Sequence, residues 1–187
     1  MIQPASLAKD GTPKRIVDYA IVLQPDTALK SAYNHLQPLP PATKSWNHIN
    51  KIRHKPIAID IETKSPMKSW TDGKPQIGIW TDARLTRCEM LWKDTCGVGA
   101  DGDAPHINWP LMPVLVAQGH DWHFLLATKM GQTLVFVEKL DIGSTRTVFY
   151  ALKVVAVLHW LMDWAEKVWR PFFYQLAGVG TDRDNGI

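Results

Sequence analysis

The run Ile57-Ala58-Ile59-Asp60-Ile61-Glu62-Thr63-Lys64 closes an apolar, β-branched stretch with two carboxylates and an amine. In an extended chain successive side chains point to opposite faces, so Ile57, Ile59 and Ile61 line one side while Asp60, Glu62 and Lys64 share the other. A carboxylate beside an ammonium, joined by a second carboxylate from another strand, can hold a divalent ion, polarise a phosphodiester and position a water for attack. Asp18 is the candidate second acid. It sits in the middle of the apolar segment 15–23, where a lone carboxylate is costly to bury unless paired or bound to a cation. Each signal also has a plain explanation: Glu-x-Lys is a common tripeptide that fits any solvated strand end, and Asp18 fits an exposed strand edge.

The elements that must position these groups can be read from pattern. Segments 15–23 and 57–64 read as strands. Between them, residues 24–55 read as an irregular basic insertion, punctuated by Pro25, Pro38, Pro40 and Pro41. Its Lys44, Trp46, Lys51 and Arg53 have the chemistry to grip a nucleic-acid strand by charge and stacking. The same stretch could equally just cover a sheet edge. After Lys64 a turn-rich link leads to a helix over about 75–92, with Pro75 at its first position, where the missing N–H is tolerated. Ile77, Trp80, Cys88 and Leu91 fall near one face with Arg84 and Arg87 offset, and Gln76 in the first turn is within reach of the site. Segments 111–118, 122–128 and 133–139 read as short strands joined by tight turns, an antiparallel meander. Ser144 is a candidate N-cap for a final helix, buried at its start and amphipathic at its end, that Pro171 should stop near Arg170. His120 and His123, three apart on a strand, point to opposite faces and fit a polar turn better than one zinc ion.

Composition sets the outer bounds. The 187 residues are 45% apolar, enough for one domain, 1–187, with a real core. Nine tryptophans are unusually many for a chain of this size; some pack the core, and an excess of large aromatics can also mark a binding surface or a dimer interface. Residues 1–55 carry eight Lys/Arg against three Asp/Glu, whereas 56–187 carry thirteen against fifteen, so the basic third is the part suited to a phosphate backbone. Cys88 and Cys96 are too few for a disulfide framework, which with the lack of an apolar leader implies an intracellular protein, nuclear or cytoplasmic. The apolar segment 148–162 is interrupted by Lys153 and His159 and is shorter than a bilayer span, so it reads as a core helix rather than a membrane anchor.

Five ordered segments carry more information than any one of them: Val17-Asp18-Tyr19, Pro56 to Lys64, Gln76-Ile77-Gly78-Ile79-Trp80, Gln118-Gly119-His120-Asp121-Trp122 and Gly143-Ser144-Thr145. In this order, over about residues 15–170, they resemble the blocks of the fungal PD-(D/E)XK nuclease-like domain family, within the restriction-endonuclease-like superfamily. The resemblance implies an α/β fold: a mixed sheet flanked by helices, with a C-terminal antiparallel meander and a long final helix. It places Asp18, Glu62 and Lys64 at the superfamily's metal-binding and water-orienting positions. Mg²⁺ or Mn²⁺ would be held by Asp18, Glu62 and the main-chain carbonyl of Thr63, with Asp60 and Gln76 as accessory groups, and the substrate would be nucleic acid. Two departures stand out. Val17 replaces the superfamily's proline, and the segment 1–14, with Pro4, Gly11 and Pro13, has no place for the helix and strand that normally come first. The chain thus resembles the later part of a longer member, which leaves three expectations: a truncated chain, a partner chain or homo-oligomer that supplies the missing elements, or catalysis that has lapsed. The alternatives are a catalytically lapsed binding module and a fold recruited to small-molecule chemistry.

Overall fold

The computed structural model describes residues 19–36, 45–47, 52–67, 70–98, 102–103, 105–130 and 133–180, and the side chains of all of these except 70–76 and 138. Among these residues five strands form one sheet in chain order: β1 (Tyr19–Val22), β2 (Ile57–Lys64), β3 (Met112–Gln118), β4 (Asp121–Met130) and β5 (Thr133–Ser144). Only β2 and β3 run parallel, and the crossover that a parallel pair needs is the helix α2 (Trp70–Thr95). The pairs β1–β2, β3–β4 and β4–β5 are antiparallel, so the expected meander is present, with β5 extending five residues past its expected end.

Both faces of the sheet are covered, which is why Ile57, Ala58, Ile59 and Asp60 are all buried in succession. The helix α2 lies over the face that carries Asp60 and Glu62, fixed near its middle by Arg84 against Asp60 and further along by Lys129 of β4 against Glu89. The opposite face carries Ile61, Leu115 and Phe124 in one register row, and Phe124 meets Trp160 of α3 (Val148–Trp164) edge-on at 6.1 Å between ring centroids. From α3 the chain continues through a π-helical turn (Ala165–Trp169) into α4 (Arg170–Leu176). Pro171 therefore does not end the helix. The π turn has already shifted the hydrogen-bond frame, with the Arg170 N–H donating to the Ala165 carbonyl, so proline falls in the first turn of a new helical segment, where its missing donor is harmless.

Three other expectations are corrected. Residues 24–55 are not irregular throughout: α1 (Thr27–His35) forms there, begun by Asp26, whose carboxylate accepts the Leu29 N–H at 2.9 Å. The signal was weak because α1 buries one side chain, Leu29, and so has little apolar periodicity. The helix α2 starts at Trp70, which puts Pro75 inside it rather than at its first position. Finally, α3 is not buried at its start. Val148, Phe149 and Leu152 are exposed, and only Val154 and Leu161 within α3 are fully covered. With the π turn and α4 included, Val148–Leu176 is long and apolar enough to cross a membrane by length and composition, although Leu161, Ala165 and Trp169 tie it to the core.

Asp26 also joins the two ends of the chain, because its second oxygen accepts the Tyr174 hydroxyl and lies 3.8 Å from Arg170. Donation from the Leu29 N–H, and then from Tyr174, holds this carboxyl below its usual 3.8. A depressed acid contributes stability that is full above 3.8 and is lost as the pH falls through the lower folded value. Asp26→Ala should therefore destabilise the protein by about 1 kcal/mol at neutral pH. In denaturant titrations the gap between wild type and variant should close on acidification; a gap independent of pH would refute the assignment.

Candidate active site

Side-chain alternation along β2 places Ala58, Asp60, Glu62 and Lys64 towards α2. Glu62 is almost fully buried and Lys64 is 13% exposed, and the Lys64 ammonium bonds Glu62 Oε1 directly. Two residues apart on one face of a strand is the spacing at which a long amine can reach back to a carboxylate. The result is a buried carboxyl group with a cationic side chain bonded to it. One turn of α2 closes over this point. A cavity of about 10 Å³ lies between the elements, lined by Asp60, Glu62, Ile77, Trp80, Thr81 and Val114. That is room for about one water-sized group.

Asp60 is held from α2. The Arg84 Nη1 lies 3.1 Å from its Oδ2 and donates to the Ala58 carbonyl at 3.0 Å, while the guanidinium sits 6.0 Å from the Trp169 ring centroid. Asp60 Oδ1 and Thr81 Oγ1, both buried, make no hydrogen bond among the described residues. Arg84 is 2% exposed. Sequence reading placed it offset from the apolar stripe of α2 and gave it no role; the usable signal was its spacing of four from both Trp80 and Cys88, which puts Arg84 on their face.

The strand end is held in place by the β3–β4 hairpin. Gly119 donates its N–H to the Lys64 carbonyl at 2.8 Å and takes φ +61°, and a Cβ there would stand 2.9 Å from Pro66 Cβ. Both the left-handed backbone and the contact require glycine. Gly119→Ala should therefore lower stability by about 1–2 kcal/mol in chemical denaturation, and a neutral result would show that the turn can relax away from Pro66.

A family model for the PD-(D/E)XK nuclease superfamily matches residues 1–170. The chain belongs to that superfamily. No curated protein and no solved structure matches it. The mixed sheet flanked by helices, with its meander and long final helix, is the restriction-endonuclease-like architecture of the superfamily.

Of the residues expected to form the (D/E)XK element, Glu62 and Lys64 meet through their side chains. Asp18 lies outside the described residues; it is bonded to Tyr19, whose partner in the β1–β2 ladder is Ile61, the neighbour of Glu62. Among the described residues no three His, Cys, Asp or Glu side chains converge as a ready metal cluster. The donors that line the small cavity are carboxylate oxygens, Glu62 among them, and fit a hard, oxygen-preferring ion such as Mg²⁺ or Mn²⁺.

The remaining expected residues separate cleanly. Lys44, Lys51 and the side chain of Gln76 lie outside the described residues. Arg53 is exposed, and its carbonyl accepts the Trp46 N–H at 2.7 Å. Trp46 is not a stacking platform for nucleic acid. It is 2% exposed and packed against Tyr33 and Phe173 at 5.5 and 5.3 Å between centroids, so its ring is committed to the core. The two histidines have separate partners: His120 Nδ1 is 3.0 Å from Thr145 Oγ1, and His123 Nδ1 is 2.6 Å from Asp141 Oδ1.

Proposed function

We propose that this protein is a divalent-metal-dependent nuclease that hydrolyses phosphodiester bonds in nucleic acid. The observation that carries the reading is the meeting of Glu62 and Lys64 at the end of β2, on the face covered by α2, in a chain of this superfamily. Glu62 and Asp18 would hold the ion together with the Thr63 carbonyl, an assignment supported by the ladder that sets Tyr19 against Ile61. When bound, the ion would supply the positive charge that polarises the scissile phosphate and offsets charge developing in the transition state. Lys64 orients the attacking water through its ammonium N–H groups. Asp60, paired with Arg84, fixes the strand rather than serving as a free ligand. The ordered sequence blocks support a place in the fungal branch of the superfamily. Two free cysteines support action inside the cell, in nucleus or cytoplasm.

The test is incubation of the purified chain with single- and double-stranded DNA and RNA in Mg²⁺, in Mn²⁺ and in EDTA. Cleavage should need the divalent ion and disappear in Glu62→Gln. Cleavage that persists in EDTA, or survives Glu62→Ala or Lys64→Ala, would overturn the assigned site. Binding without turnover in every condition would make the protein a nucleic-acid-binding module on a nuclease fold.

A further inference from the structure

The same end of the sheet carries a second, larger concavity. It has a volume of about 330 Å³ and lies where β4, β5 and the start of α3 meet, with Asp121, Trp122, Asp141, Ser144, Tyr150 and Lys153 among its walls. We propose that it is a nucleobase pocket for a strand being cut at Glu62 and Lys64, and that it selects bases with an exocyclic amine. This rests on the nuclease reading above and adds the substrate contact that the reading leaves open.

Position comes from the sheet register. Lys64, Gln118, Asp121 and Ser144 form one row across β2, β3, β4 and β5. With strands about 4.8 Å apart, Asp121 is about 10 Å across the sheet from Lys64 and on its face; Trp122 and Tyr150 lie on the α3 face, so a strand cut at Lys64 passes over the sheet end to reach them. The wall is built deliberately close. Gly143 takes φ +146°, and a Cβ on it would come within 2.7 Å of the Tyr150 carbonyl, so glycine is what lets α3 begin directly over β5.

The chemistry of the walls decides what fits. Trp122 is half-buried and Tyr150 is exposed, giving aromatic surface on which any base can stack. Two carboxylates are fixed at the pocket: Asp141 by the buried His123, and Asp121 by Arg146 at 3.3 Å. An ionised carboxylate only accepts hydrogen bonds, so the pair favours an amine edge such as that of cytosine or adenine and disfavours a phosphate inside. Phosphates belong at the rim. There the Lys153 ammonium lies 5.3 Å from the Tyr150 ring centroid, and Arg146 stands beside Asp121.

Fluorescence anisotropy with short labelled oligodeoxynucleotides, in Ca²⁺ in place of Mg²⁺ to suppress cutting, tests the proposal. A cytosine oligomer should bind about ten-fold or more tighter than a thymine oligomer, and Asp121→Ala should abolish that preference. Tyr150→Ala should weaken both about ten-fold, while Leu152→Ala, an exposed apolar residue of the same helix outside the pocket, should change neither. Equal binding of the two oligomers, or equal losses in the Tyr150 and Leu152 variants, would overturn the pocket. A free deoxycytidine monophosphate that binds as tightly as the strand would overturn the strand as its occupant. Wild-type protein that binds no oligomer would overturn this proposal together with the nuclease reading.

Discussion

Glu62→Gln should reduce divalent-dependent cleavage by at least about a hundred-fold, because loss of even an outer partner of a metal ligand lowers affinity or activity by about 10–100-fold. The substitution keeps size and shape and removes the one charge that can bind both Lys64 and a divalent ion. Activity alone would not separate a lost ion from a damaged fold, so melting should be followed with and without Mn²⁺. An ion that binds only the folded state raises stability by about 2.7 kcal/mol at a hundred times its Kd. The wild type should show such a rise and Glu62→Gln should not, while the metal-free melting points stay close. Lys64→Ala should behave differently: cleavage falls by about 10²–10⁴-fold, ion-induced stabilisation is retained, and the metal-free protein is weakened because Glu62 is left buried without the Lys64 ammonium. An unchanged Mn²⁺ response in Glu62→Gln would remove Glu62 from the ligand set.

Arg84→Met should be the most destabilising single change at the site, by about 3–5 kcal/mol, since it strands the Asp60 carboxylate in the core. That is a large part of the total stability of a domain of this kind, about 5–15 kcal/mol. The pair also ties α2 to β2, through the 3.0 Å bond from Arg84 to the Ala58 carbonyl. Combining Arg84→Met with Asp60→Asn removes the buried charge together with its partner, so the double variant should recover much of the loss. Denaturant unfolding of the four proteins forms a thermodynamic cycle. Losses that simply add would mean that the two groups do not sense each other, and Asp60 would return as a candidate ion ligand.

Local patterns were legible wherever the cause was local. The three meander strands could be located from turn residues such as Gly119, whose positive φ sets a hairpin regardless of what packs on it. The helix α1 escaped because its start depends on one side-chain cap at Asp26 and its burial on Leu29, features without a repeating signature. Trp46 was misread for the opposite reason. A tryptophan in a basic, proline-rich stretch looks like surface, and only the approach of Tyr33 and Phe173, the latter well over a hundred residues away, makes it core.

The order of side chains on β2 was fixed before any folding, since covalent geometry makes alternate residues of an extended chain share a face, and that alone brings Glu62 to Lys64. Tertiary structure decided what those groups became. Arg84 claims Asp60 across 24 residues of sequence, α2 shuts the acids away from bulk water, and the β4–β5–α3 junction opens a concavity at the same sheet end. Such choices depend on which surfaces the whole core brings together, and packing between distant segments leaves no periodic trace in the chain that makes it.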